Sequence, residues 1–481
     1  MKILKRILLF VLATVLALSG NVAYKTATFT SKQTAIDTLP TMPIEQQSVV
    51  NFCKALQYKT ISFGDSTLFD PKPFSQLIDY LQRTYPRTHA TLKREIVNQY
   101  SLLYTWQGTD ANLKPIILMG HTDVVPIDET TRTQWKADPF GGQIQNDTIW
   151  GRGAVDDKIN VIAVLEATER LIKEGYQPKR TIYLSFGHDE EIGGKKGAKK
   201  IVEKLQQQNV KAEFILDEGG LLMDGLIPDK VAALIGTAEK GYLSVEITAT
   251  DKGGHSSTPP AQTAIDILNN ALVTLHNTPF VPHFTQPLND FMLYAGPEMS
   301  LFQRMAFANK WLFSPLIVKT YSAQGKTNAM IRTTGVATIL DAGFKENVIP
   351  AQAKATVNFR ILPEETSETT LAYVKTLLTD PHISIKPLGI INQPSKVSSV
   401  DGVGYKTVEK TIKQVVPNTI VAPFLLPGAT DSRHFEGITE STYRHIPARL
   451  LGYHDINERI SIPDYKRCIA FYYQFIKNAN P

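Results

Sequence analysis

Three strand-length apolar runs in this sequence end in carboxylates or histidine: PIILMGHTD (115–123), TIYLSFGHDEE (181–191) and AEFILDEGG (212–220). Helix-like segments separate them, at about 160–174 and 197–207. Near-continuous apolar strands alternating with helices predict an α/β fold: a mostly parallel sheet covered by helices. In such sheets functional residues collect at the carboxyl ends of the strands. The runs therefore predict one site holding His121, Asp123, Glu190, Glu191, Asp217 and Glu218, with Asp189 a turn residue or one that supports the ligands from behind. GRGAVDDK adds Asp156 and Asp157 just before a helix, and LLGYHDINERI adds His454 late in the chain.

The pattern changes near Gly241. GYLSVEITATDKGG and NVIPAQAKATVNFRILPEE alternate apolar and polar residues, as half-exposed strands do. With two helices they predict an α+β unit over 242–396, inserted into a catalytic domain formed by 45–241 and 397–481. The segment Asp290–Val318 within the insert is rich in large apolar side chains. It reads as a pocket wall for an acyl chain or apolar side chain, or as lid core or dimer contact.

The N-terminus has Lys2, Lys5 and Arg6 ahead of an apolar run, Ile7 to Leu18. Residues 1–25 read as a signal peptide or an uncleaved membrane anchor, and 26–44 as a linker, so the protein is expected outside the cytoplasm. The net charge of +5 is mild and the lysines are scattered, which does not favour nucleic acid as a partner. The two cysteines, Cys53 and Cys468, either bridge the chain ends or are buried thiols; they are too few for a cysteine-based metal site.

So many converging carboxylates would repel without a cation. Imidazole and carboxylate ligands without sulfur suit zinc, or manganese or cobalt in its place. Asp123 reads as the group that receives the second ring N–H of His121, or as one that orients the catalytic carboxylate.

Seven motifs in order, GHTDVVP, GRGAVDDK, FGHDEEIGG, ILDEGG, GGHSSTPP, NVIPA and GATDSR, resemble the co-catalytic zinc aminoacylase/carboxypeptidase family. The resemblance covers nearly all of the chain after about residue 45. GATDSR and INERISIP resemble its carboxypeptidase S branch, which includes secreted N-fatty-acyl-amino-acid hydrolases. It implies an inserted lid and dimerisation domain and a site with two zinc ions bridged by Asp156. His121 and Asp217 would complete one ion's ligands, and Glu191 and His454 the other's. Glu190 would be the general base and acid acting on the metal-bridging water, with Asp123 in support. His255 would stabilise the oxyanion, often from a partner subunit. Asn347 and Arg360 would grip the substrate, and Arg433 competes with Arg360 for its carboxylate. His434 and His445 compete with His454 as the last ligand. The implied activity is hydrolysis of the amide bond in N-acyl-amino acids or small peptides with a free carboxylate. The alternatives are an exported binding protein of the same fold without catalysis, and another metal hydrolase such as a phosphoesterase.

Overall fold

The computed structural model describes residues 2–480. The apolar runs form β1 (Lys93–Val97), β2 (Ser101–Trp106), β3 (Ile116–His121), β4 (Ile182–Gly187), β5 (Phe214–Asp217), β6 (Leu222–Ile227) and β7 (Lys230–Glu239). A second sheet follows, of β8 (Gly241–Thr250), β9 (Thr334–Ala342), β10 (Gln352–Ile361) and β11 (Ile383–Asn392). The chain then returns to the first sheet with β12 (Thr419–Leu426) and β13 (Thr442–Arg444).

The first sheet has nine strands in the order β1-β2-β4-β3-β5-β13-β7-β12, with β6 on β7. Its centre, β4-β3-β5-β13, is parallel. All six residues of β3 are buried because both faces are covered. Ile116 and Leu118 face a core shared with helices Lys158–Lys173 and Ile462–Asn478. Ile117 and Met119 face the other way, onto Ile201 and Leu205 of helix Ala198–Gln207. The expected α/β architecture with a largely parallel centre is what forms.

The second sheet is antiparallel, in the order β9-β10-β8-β11. Alternate residues of β10 are buried, and Ala353, Ala355, Val357 and Phe359 pack on helix Ala264–Asn277 with Ile267 and Leu268. The other face stays open, which is why these strands read as alternating.

The apolar segment 290–318 does not form the core of the lid sheet; it lines a cavity instead. Its helices lie on the edge of the first sheet, where Ala295 and Met299 cluster with Leu234 of β7 and with Ile420 and Ala422 of β12. Strand β12 is an edge with an apolar face, and these helices are its cover.

Helix Lys2–Thr28 is 27 residues long with a mean hydropathy of 2.1 over its most apolar window, enough to cross a membrane by length and composition. Its last turns rest on the protein body, where Asn309 Nδ2 donates to Val22 O and Thr26 Oγ1. Residues 29–45 have no regular structure, yet they are held down: Gln33 bonds Val421 and Tyr294, and Leu39 N donates to Gln414 O. Cys53 and Cys468 are both free thiols.

Between the first sheet and the loop Gly428–Arg433 lies a buried ion pair. Arg444 Nε donates to Glu239 Oε1 at 2.7 Å, and the side chains are 1% and 2% exposed. The same oxygen accepts Thr430 N and Thr430 Oγ1. Glu239→Ala should lower unfolding free energy by about 3–5 kcal/mol in a denaturant titration, because it strands a buried guanidinium.

Candidate metal centre

Strand β4 stops at Gly187, and the backbone re-forms as a short turn of 3-10 helix, Glu190–Ile192. Gly193 at φ +101° and Gly194 at φ +65° close that turn in the left-handed region, which costs glycine little. A side chain at Gly194 would also collide with the Asp431 carboxylate, 1.9 Å from the Cβ position. Because the strand has ended, Glu190 and Glu191 escape the opposite-face rule for neighbours.

Asp123 sets the position of both. Its Oδ1 accepts Glu190 N at 3.1 Å and its Oδ2 accepts Glu191 N at 3.2 Å. Asp189 serves the turn: its carboxylate accepts Lys196 N and Gly197 N, each at 2.7 Å.

His121 Nδ1 donates to Asp123 O at 3.0 Å and lies 3.3 Å from Asp123 Oδ1. That contact fixes the tautomer and leaves Nε2 for a ligand. Nε2 is 2.9 Å from Asp156 Oδ1 and 3.2 Å from Glu218 Oε1. On the other side of Asp156, His454 Nε2 is 2.6 Å from Asp156 Oδ2 and 3.2 Å from Glu191 Oε2. Asp156 thus belongs to two clusters, His121–Asp156–Glu218 and Asp156–Glu191–His454, whose donor atoms lie within 4.8 Å of one another in each.

Several observations show that this donor set fits cations. Asp156 Oδ2 and Glu191 Oε1 are buried without a hydrogen-bond partner. His454 Nε2 approaches Asp156 Oδ2 to 2.6 Å, so an imidazole and a carboxylate donor atom lie side by side. Burial, with the Asp156 charge adding, pushes the Glu218 carboxyl up to about 8. At such separations each carboxylate pair repels by roughly 3–4 kcal/mol in a medium of dielectric about 20. Divalent cations remove that repulsion, and the imidazole and carboxylate donors suit zinc, manganese or cobalt.

The backbone under Asp156 is anchored by Glu458, from the INERISIP stretch. Its Oε1 accepts Val155 N and Asp156 N, and its Oε2 pairs with Arg152 at 2.8 Å. Burial raises this carboxyl to about 7, with the Arg152 charge opposing. Asp157 Oδ2 accepts His121 N. His454 has φ +54°, an uncommon left-handed conformation that aims its ring inward.

One expected ligand is displaced. Glu218, not Asp217, meets His121 and Asp156. Asp217 ends β5 and turns to the Gly428–Arg433 loop, where its Oδ2 accepts Ser432 N. Adjacent residues at a strand end point apart, so only one of this acidic pair can join the cluster. Of the three late histidines only His454 lies there. His434 bonds Gly193 O, and His445 is a core residue bonded to Leu234 O.

The second sheet carries the remaining candidates. Arg360 of β10 stacks over the Tyr242 ring at 4.8 Å. Burial, then the nearby Arg433 charge, lowers its pKa, so the two guanidiniums share a region. Arg433 Nε and Asn347 Oδ1 are buried without partners. His255 is exposed, bonded through Nδ1 to Ser257 Oγ, and is in neither cluster. Two residues escaped the sequence reading. Glu458 carried no acidic neighbour to flag it. Asp431, in the GATDSR loop, is buried with both carboxylate oxygens unpartnered, and burial holds its carboxyl well above the usual range.

The profile of peptidase family M20/M25/M40 matches residues 117–478. This chain belongs to that family. It is 39% identical over 473 residues to a probable carboxypeptidase S-like 2 of Dictyostelium discoideum, covering 94% of this chain and 90% of that protein. It is 37% identical to the mouse N-fatty-acyl-amino acid synthase/hydrolase PM20D1, covering 89% and 86% of the two chains. Carboxypeptidase S of Saccharomyces cerevisiae is 32% identical, with 85% and 79% covered. The M20 metallo-carboxypeptidase Sso-CP2 of Sulfolobus solfataricus shares the fold, at a TM-score of 0.69 and 21% identity, with 90% of this chain and 99% of that one covered. The family includes dinuclear metal-binding peptidases, such as the YXEP protein of Bacillus subtilis, whose structure matches at a TM-score of 0.57 and 13% identity over 91% of this chain and 99% of that one. Membership makes the chain a metallopeptidase-family hydrolase.

Metal content by plasma mass spectrometry separates the adjacent acids: Glu218→Ala should bind less metal per chain, and Asp217→Asn should keep the wild-type amount. Asp123→Ala should weaken metal affinity about 10–100-fold in a chelator competition, since it removes the carboxylate that holds the Glu190 and Glu191 amides and lies 3.3 Å from His121 Nδ1.

Proposed function

We propose that this protein is a dinuclear amidohydrolase that cleaves N-acyl-amino acids or small peptides bearing a free C-terminal carboxylate. The observation that carries the reading is Asp156 shared between two His-carboxylate clusters, with Glu190 held beside them by Asp123. The names of the relatives, carboxypeptidase S and N-fatty-acyl-amino acid synthase/hydrolase, support the substrate class.

His121, Asp156 and Glu218 would hold one cation, and Asp156, Glu191 and His454 the other. Two zinc ions, or cobalt or manganese in their place, would acidify water and polarise the scissile carbonyl. Glu190 takes the proton of the attacking water as the C–O bond forms. It returns that proton to the leaving nitrogen as the C–N bond breaks. Its enclosure raises its pKa above the ordinary value, with His121 opposing and Asp431, Glu218 and Glu191 adding. Arg360 and Arg433 are the cations for the substrate carboxylate, and a guanidinium fork can pair both of its oxygens. Asn347 completes the grip through its free Oδ1.

His255 would supply the oxyanion donor from a partner subunit. Its exposure supports that reading, as does the free edge strand β9, which leaves Val336, Ile339 and Leu340 more than 60% exposed. The N-terminal helix supports export with either a cleaved leader or a membrane tether. A binding protein without catalysis is disfavoured because the donor set and Glu190 are both present.

Glu190→Gln should retain metal and lose roughly 10²–10⁴-fold in turnover of N-acyl-amino acids; wild-type-like turnover would sink the assignment. Mixing refolded Glu190→Gln and His255→Ala subunits should restore part of the activity, because mixed dimers hold one intact site. No recovery, with mixed dimers confirmed by differently tagged subunits, would overturn the donation of His255 from a partner subunit.

A further inference from the structure

Helices Gln286–Ala295, Leu301–Ala308, Lys310–Ser322 and Gly325–Ile331 enclose, with the edge of the first sheet, a cavity of about 460 Å³. This is within the usual size of a small-ligand site. Its walls are Leu234 and Phe424 from the sheet and Phe291, Phe307 and Ile317 from the helices. The polar side chains on it are few, among them Gln303, Thr320 and Lys326, and it contains no carboxylate or histidine. Such a lining offers no carboxylate or imidazole ligand to a metal among the described residues, and its apolar majority favours aliphatic carbon.

Position matters as much as lining. Phe302 is 61% exposed and Leu316 is 41% exposed, and both line the cavity, so they mark its opening. Leu301, Trp311 and Leu312 are exposed apolar residues of the same helices. The N-terminal helix docks here: Lys25 lies over the Trp311 ring, and Arg304 donates to Phe29 O just past the helix end. The opening thus sits beside a helix apolar enough to cross a membrane. Leu425 of β12 also lines the cavity. The next residue, Leu426, lies against Gly219, which follows Glu218 of the metal cluster. Strand β12 then runs into the loop that carries Arg433.

We infer that this cavity binds the long aliphatic acyl chain of the substrate, taken up on the face beside the N-terminal helix, while the amide lies at the metal centre. This deepens the amidohydrolase reading and rests on it. It predicts a preference set by chain length, at about fourfold in kcat/KM per buried methylene until the cavity is full.

The experiment uses full-length, metal-loaded protein in a nonionic detergent. N-acetyl-, N-octanoyl- and N-palmitoyl-alanine are compared, and an N-palmitoyl-alanine with a diazirine at the chain end is photolysed on the protein. The expected result is kcat/KM rising from acetyl to palmitoyl, with labelled peptides from 286–330 or from β12. Ala306→Phe, which fills the cavity, should cost the palmitoyl substrate at least about tenfold more than the acetyl one. Labelling confined to the second sheet, or an equal loss for both substrates in a folded Ala306→Phe protein, overturns the cavity assignment. Absence of hydrolysis of every N-acyl-alanine would instead overturn the amidohydrolase reading, and labelling within 286–330 would then still support an acyl-chain site. The labelling arm uses the unaltered protein, so a misfolded variant cannot obscure it.

Discussion

The arrangement of the site depends on one fully buried carboxylate, that of Asp123. Its two oxygens accept the backbone amides of Glu190 and Glu191, and His121 donates from Nδ1 to its carbonyl. One residue just past β3 therefore acts twice: its carboxylate holds the turn that follows β4, and its backbone carbonyl decides which nitrogen of His121 is free. Charge-assisted hydrogen bonds to a buried acid are stronger than neutral ones, and they hold the turn against the repulsion of its own glutamates. Without Asp123, Glu190 and Glu191 would have no reason to leave the strand pattern that sends neighbours to opposite faces.

Around that anchor the fold concentrates negative charge where water is scarce. Asp156, Glu218, Asp217 and Asp431 are each less than 5% exposed. The protein offsets part of this with its own groups: Glu458 is paired with Arg152 and bonded under Asp156, and Glu239 is paired with Arg444 under the Thr430 loop. Those pairs support the ligands without neutralising them. The carboxylates that face one another across the two clusters are left for cations, and this is why the site reads as a metal centre from its hydrogen-bond accounting as well as from its residue types.

The apolar helices at 286–331 answer a different constraint. Edge strand β12 presents Ile420, Ala422 and Phe424 on a face with no other cover, and the helices satisfy that demand. They pack incompletely, and the space left is apolar and adjacent to both the N-terminal helix and the strand end that leads to the site. Stability and substrate recognition would then share the same surface.

By itself the sequence determined the α/β centre, the open face of the second sheet, and the gathering of His121, Asp123, Asp156, Glu190, Glu191 and His454. These follow from periodicity and from the rule that parallel strands end at one place, which are local properties. Only the tertiary structure decided between Asp217 and Glu218, because two adjacent acids at a strand end differ by nothing except the direction each side chain takes once β5 is packed. Likewise the role of Glu458 depends on bringing residue 458 under residues 155 and 156, and the seat of segment 290–318 depends on which sheet edge lacked a cover. Neither is encoded in spacing, since both are contacts between segments far apart in the chain.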